Sequence, residues 1–106
     1  MKVKAEFENV FDSNGNPSGG FYKAKGIDIF WQNGPLGRDG DRLDPNGAFV
    51  ENVIDAAIKR IQHYQESRFN CRENAVALTH LETAALWLNK RTHDREERKV
   101  EGTHKI

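Results

Sequence analysis

The sequence predicts an α+β fold, in which a short N-terminal antiparallel β-sheet leads into a long antiparallel α-helical hairpin. Three observations predict it. The N-terminal stretch alternates apolar and polar residues with period two. The stretch from Gln32 to Gly47 is dense in glycine and proline. Everything after it follows a helical period, broken once at "SRFNC". At 106 residues the chain reads as a single domain, with residues 1–47 a β-rich part carrying a long loop and residues 48–106 the hairpin. A chain of this size buries about 60–70% of its unfolded surface, so self-association is a common further source of stability.

In "VKAEFENVF", Val3, Ala5 and Phe7 alternate with Lys4, Glu6 and Glu8, the pattern of a half-buried strand. "DSNGNPSGG" follows, with Asn14-Gly15 and Gly19-Gly20 as turn signals. "FYKAKGIDIFWQ" is aromatic and β-branched and predicts one or two more strands. In it Ile27, Ile29 and Trp31 fall on one face and Asp28 and Phe30 on the other. The loop from Gln32 to Gly47 is long for a compact domain, and long loops often bind ligands.

The first helix is expected from about Phe49 to Glu66, with Asn46 in the region of its N-terminal cap. Val50, Val53, Ile54, Ala57, Ile58 and Ile61 supply its apolar stripe. The second is expected from about Arg72 to Arg98, with Leu78, Leu81, Ala85 and Leu88 on its apolar line and Gly102 beyond its end. A short link between two amphipathic helices makes them antiparallel neighbours.

Composition narrows the function. Sixteen Lys and Arg balance sixteen Asp and Glu, which argues against general DNA binding, where excess cations neutralise phosphates. Cys71 is the only cysteine, so no intrachain disulfide forms, and an unpaired thiol fits a reducing compartment. No apolar run is long enough for a membrane span, and "MKVKAEFENV" lacks the apolar core of a signal peptide. A cytoplasmic protein is expected.

The candidate chemistry lies on the hairpin. Arg91, Arg95 and Arg98 share one helix face. They fit either a solvated helix end, paired with Asp94 and Glu97 and complementing the dipole, or a phosphate clamp of guanidinium forks. Asn74 falls on the apolar line of the second helix. It is either a cap or a link to the turn backbone, or it reads a polar edge of a ligand. Tyr64 and Phe69 flank the turn and either pack the hairpin end or offer a ring on which a nucleobase stacks. The histidines His63, His80, His93 and His104 have no metal-ligand spacing, Cys71 has no orienting base, and "NGPLG" is no phosphate loop. No catalytic constellation, metal site or cofactor is expected.

Three segments carry a family resemblance: "GIDIFWQNGPLGR", "PNGAFVENVIDAAIKRIQHYQ" and "CRENAVALTHLETAALWLNKRTHDREERKVEGTHKI". They resemble the first type of Thoeris anti-defence sponge, a family of small phage proteins whose helical hairpin is shared with the anti-CBASS sponges. The resemblance runs from about Gly26 to Ile106, and its most specific parts are "CRENA", the "WL..RT..R" run and "VEGTH". It implies a sheet followed by a hairpin, assembled into dimers or hexamers. It also implies a non-enzymatic protein in the cytoplasm of the infected bacterial host. Such a protein holds a cyclic ADP-ribose isomer made by TIR-domain proteins, and in some members cyclic oligonucleotides of CBASS, without cleaving it.

Residue by residue, the resemblance matches Tyr64 to an adenine-stacking aromatic that is more often Phe, and Asn74 to a ligand-contacting polar residue. It matches Arg91 and Arg95 to paired phosphate-holding arginines. Phe69 stands beside Tyr64 at the same end. The loop from Trp31 to Leu36 resembles the segment that covers the ligand, from the neighbouring chain. Asn74 and Arg91 are 17 residues apart, about 25 Å along a helix. One small ligand cannot span that within one chain, so a shared site demands an antiparallel partner and two equivalent pockets per dimer. The alternatives are an enzyme degrading the ligand, a sponge for cyclic di- or trinucleotides only, and a structural or DNA-binding phage protein.

Overall fold

The computed structural model describes residues 4–106, with Asp39 described by its backbone. Three strands come first: β1 (Glu6–Phe11), β2 (Pro17–Ala24) and β3 (Ile27–Phe30). A short 3-10 turn at Asp39–Asp41 lies in the long loop, and two helices follow, α1 (Val50–Gln65) and α2 (Arg72–Glu97). The α+β class and the order of sheet before hairpin stand as expected. Both helices lie within a residue or so of the expected bounds.

The sheet is antiparallel throughout, in the order β1-β2-β3. Phe7 pairs with Tyr22, and Tyr22 with Ile29, so these three share one face. The β1–β2 turn is built on Asp12, whose side chain accepts from the backbone of Asn14 (2.9 Å) and Asn16 (3.0 Å). Gly15 supplies the positive φ, 79°, that this turn requires.

Two expectations about the sheet are corrected. Gly19-Gly20 is not a turn; both glycines lie within β2, which starts at Pro17. The register slips there, with Asn9 opposite Gly20 but Phe11 opposite Pro17. β2 thus spends one residue more than β1, and Gly19, at φ 81°, sits in the bulge. Gly20 is required by crowding, because a Cβ there would run into the Glu8 carbonyl oxygen. The second correction concerns the half-buried first strand. β1 is exposed along its whole length, Phe7 by 68%. The alternation in the sequence is real, but β1 is an edge strand. Val3 lies outside the described residues.

Asn46 does not cap α1. It closes the base of the long loop instead, its amide accepting from Asn33 N (2.8 Å) and donating to Asn33 O (3.0 Å). Its backbone N–H donates to the Gln32 side chain at 2.9 Å. The carboxamide is three residues too early for a helix that begins at Val50 and finds the opposite loop strand instead.

The described chain resolves into two compact units. One runs up to Phe49 and also takes in Val100–Ile106; the other is the hairpin, Val50–Lys99. The last seven residues, expected with the hairpin, therefore pack with the β-rich part. Gly37 N donates to Gly102 O at 2.8 Å, and Arg42 pairs with Glu101 at 2.6 Å.

Within the hairpin, Ile58 is the buried apolar residue, flanked by half-buried Val53, Ile54, Ala57 and Ile61. Leu78, Leu81, Ala85 and Leu88 of α2 are also half-buried, as their spacing predicts. Among the described residues no helix is long and apolar enough to cross a membrane.

Candidate functional site

The hairpin turn is tightly clasped, and this clasp places three of the candidate residues. The Gln65 carboxamide grips Cys71 twice: Nε2 donates to its carbonyl and Oε1 accepts from its N–H, both at 3.0 Å. Ser67 Oγ donates to Tyr64 O (2.6 Å) and accepts from Phe69 N (3.1 Å). Asn70 Nδ2 donates to Ser67 O at 2.9 Å. Cys71 then caps α2, with extended backbone and its sulfur accepting from Asn74 N at 3.4 Å.

This settles what Asn74 does in the free chain. Its backbone serves the cap, while its half-buried side-chain amide bonds none of the described residues. Of the readings its spacing leaves open, the side-chain link to the turn backbone is not made; the Cys71 sulfur and the Gln65 carboxamide bond the turn instead. Tyr64 is 40% and Phe69 65% exposed, so neither is consumed by packing. Arg60 lies over the Tyr64 ring and Arg68 over the Phe69 ring, at 5.1 and 4.7 Å from the centroids. The turn end thus gathers two open aromatic rings, an unspent amide and two guanidinium groups.

The other candidates sit far along α2. α2 has 26 residues and α1 has 16. Joined by a short turn, α2 outruns α1 by ten residues, about 15 Å. Arg91 and Arg95 lie on that overhang. Nearby, Asp94 pairs with Lys90 at 2.7 Å and Glu97 with His93 at 3.1 Å. The hydrogen bond from Lys90 holds the Asp94 carboxyl below its ordinary pKa, and Asp94 raises Lys90 in turn.

Among the described residues no carboxylate pairs with Arg91, which is exposed. Arg95 is different: at 9% exposure it is the buried charged residue among those described. One turn of helix therefore separates an open guanidinium from an enclosed one. Trp31 and Leu36 belong to the other unit and are half-buried, Trp31 bridging to Ala48 at the end of β3. Among the described residues no group of His, Cys, Asp or Glu is placed to hold a metal ion.

Sequence reasoning missed Gln65, Cys71 and Arg60 as structural parts of the turn end. The four-residue interval from Arg60 to Tyr64, and the cysteine three residues before Asn74, were the available signs.

The chain is 51% identical over 76 residues to "Thoeris anti-defense 1" of Bacillus phage SBSphiJ7. The match takes in 72% of this chain and 51% of that protein, so the chain spans about half of its relative's length. The family model described as "Acb2/Tad1, hairpin domain" matches residues 23–93. That span holds Trp31, Leu36, Tyr64, Phe69, Asn74 and Arg91, and stops two residues short of Arg95. With two thirds of its length under that model, the chain belongs to the Acb2/Tad1 hairpin-domain family.

Proposed function

We propose that this protein is a phage anti-defence sponge, which binds a cyclic ADP-ribose-type immune nucleotide in the infected bacterium and holds it unaltered. The observation that carries the reading is the division of recognition chemistry between the two ends of α2. Stacking rings and an unspent amide lie at the turn, and an open guanidinium lies on the overhang. Family membership and the name of the phage relative favour the same class of function.

In this reading Tyr64 stacks the base, Phe69 lines the mouth beside it, and Asn74 hydrogen-bonds the ligand's polar edge. Arg91 and Arg95 hold the phosphates, and the segment from Trp31 to Leu36 covers the pocket. Since Asn74 and Arg91 stand about 25 Å apart along α2, a second antiparallel chain completes each site. Dimers, or hexamers built from them, therefore carry the function. The exposure of Leu86 and Trp87 on α2 supports self-association, because an interface would cover large apolar side chains that the single chain leaves in water.

Magnitudes agree. Nanomolar capture needs about −12 kcal/mol. Two charged contacts contribute roughly 1.5–3 kcal/mol each, and one stacked base roughly 1–3 kcal/mol. Ordering costs then leave a shortfall that a second chain offsets by excluding water and pre-forming the walls.

Calorimetry against cyclic ADP-ribose isomers, followed by denaturation and mass analysis, tests the proposal. The expected result is tight binding and return of the intact ligand. Return of a cleaved product would make the protein an enzyme. Binding of cyclic di- or trinucleotides with no response to any cyclic ADP-ribose isomer would move it to the narrower CBASS class.

A further inference from the structure

Arg60 stands one turn before Tyr64 on α1 and touches it in two ways. Its Nε donates to the phenolic oxygen at 3.1 Å, and its guanidinium carbon lies 5.1 Å from the ring centroid. One side chain therefore covers a face of the ring and tethers its far end. The neighbouring cation Lys59 is committed to Asp55 at 2.9 Å, whereas among the described residues no carboxylate pairs with Arg60. The guanidinium is thus held by the tyrosine and competes with no acid for its place.

A ring covered on one face stacks a base only on the other. A ring tethered at its hydroxyl has also lost part of its rotational freedom before the ligand arrives, which lowers the ordering cost of binding. A phenylalanine at this position keeps the cation–π contact and loses the tether, so the device depends on the tyrosine.

We propose that Arg60 is a positioning residue for Tyr64, presetting the ring so that a purine base stacks on the face opposite the guanidinium. The inference rests on the reading above, in which Tyr64 stacks the base. Arg60 acts through the ring and makes no separate contact with the ligand.

A double-mutant cycle tests it, using whichever cyclic ADP-ribose isomer the wild-type chain holds. Arg60→Ala is expected to weaken binding about three- to fivefold, in line with an exposed cation–π contact. Tyr64→Phe is expected to weaken it about twofold. In a Tyr64→Ala background, Arg60→Ala is expected to change nothing further. Both side chains lie on the helix surface, so circular dichroism should show unchanged helix content in every variant.

If Tyr64→Ala itself binds like wild type, the stacking reading fails and the inference goes with it. If Tyr64→Ala weakens binding but Arg60→Ala does not, the stacking reading survives and the inference is overturned. It is also overturned if Arg60→Ala costs as much in the Tyr64→Ala background as in wild type, since Arg60 would then touch the ligand directly.

Discussion

Arg91 and Arg95 carry the same charge one helical turn apart, yet their surroundings make them different experiments. Arg91 is exposed, so Arg91→Ala should leave the unfolding free energy within about 0.5 kcal/mol of wild type. Its loss should weaken ligand binding about 10- to 100-fold, the value of one charged contact. Arg95 is 9% exposed. Arg95→Ala should therefore lower stability by about 1–3 kcal/mol as well as weaken binding, because the whole side chain, stem and guanidinium, is enclosed. Thermal unfolding beside calorimetry separates the two effects. An Arg91→Ala chain that binds normally would remove the phosphate-clamp assignment. At this scale the sequence was informative wherever helical spacing decides. The shared face of Arg91 and Arg95, and the placing of Tyr64 and Phe69 at the turn, follow from the period alone. That Asp94 pairs with Lys90 does not, because several partners lie within reach and only the folded rotamers decide.

At the scale of elements, the end of α2 carries a backbone conformation that non-glycine residues rarely adopt. Lys99 adopts the left-handed conformation with φ 58°, where glycine is the usual residue. Lys99 N donates to Glu96 O at 3.0 Å, so the strain accompanies a closed helix end. Lys99→Gly should stabilise the hairpin by about 1 kcal/mol in chemical denaturation. The ion pair nearby predicts a pH profile. The lowered pKa of Asp94 gives stability that is present above the ordinary carboxylate range and is lost as pH falls through the lowered value. The raised pKa of Lys90 gives stability present below 10.5 and lost as pH rises through the raised value. The contribution of the Lys90–Asp94 pair to helix content should thus be flat from about pH 5 to pH 9 and decline only in acid or strong base. A transition near pH 6.5 would point instead to a histidine. Both helices were legible because a 3.6-residue period persists for many turns. The sheet was less so. Gly19-Gly20 has the composition of a turn but serves a bulge, and only the crowding at the Glu8 carbonyl reveals it.

Across the whole molecule, the C-terminal segment is the non-local feature. Gly102, at φ 76°, lies so close to Gly37 that a Cβ would strike the Gly37 carbonyl oxygen. Gly102→Ala should therefore destabilise the β-rich unit by more than about 1 kcal/mol, read as lost amide protection at Gly37 and Leu43. Glu101→Gln should cost less than about 1 kcal/mol, since the Arg42–Glu101 pair is 43% and 22% exposed. "VEGTH" stood out in the sequence, but its packing with residues before Val50 could not be read there, because no local period reports a contact across some sixty residues.

In the proposed assembly, each ligand is gripped by the turn end of one chain and the overhang of another. Mixing two inactive variants tests this shared grip. Tyr64→Ala and Arg91→Ala chains, each binding poorly alone, are combined and allowed to exchange subunits before calorimetry. Random pairing makes half the dimers mixed, and each mixed dimer has one pocket with neither defect. Tight sites should therefore return at about a quarter of the wild-type number. No recovery at all, with exchange confirmed, would contradict a site shared between chains.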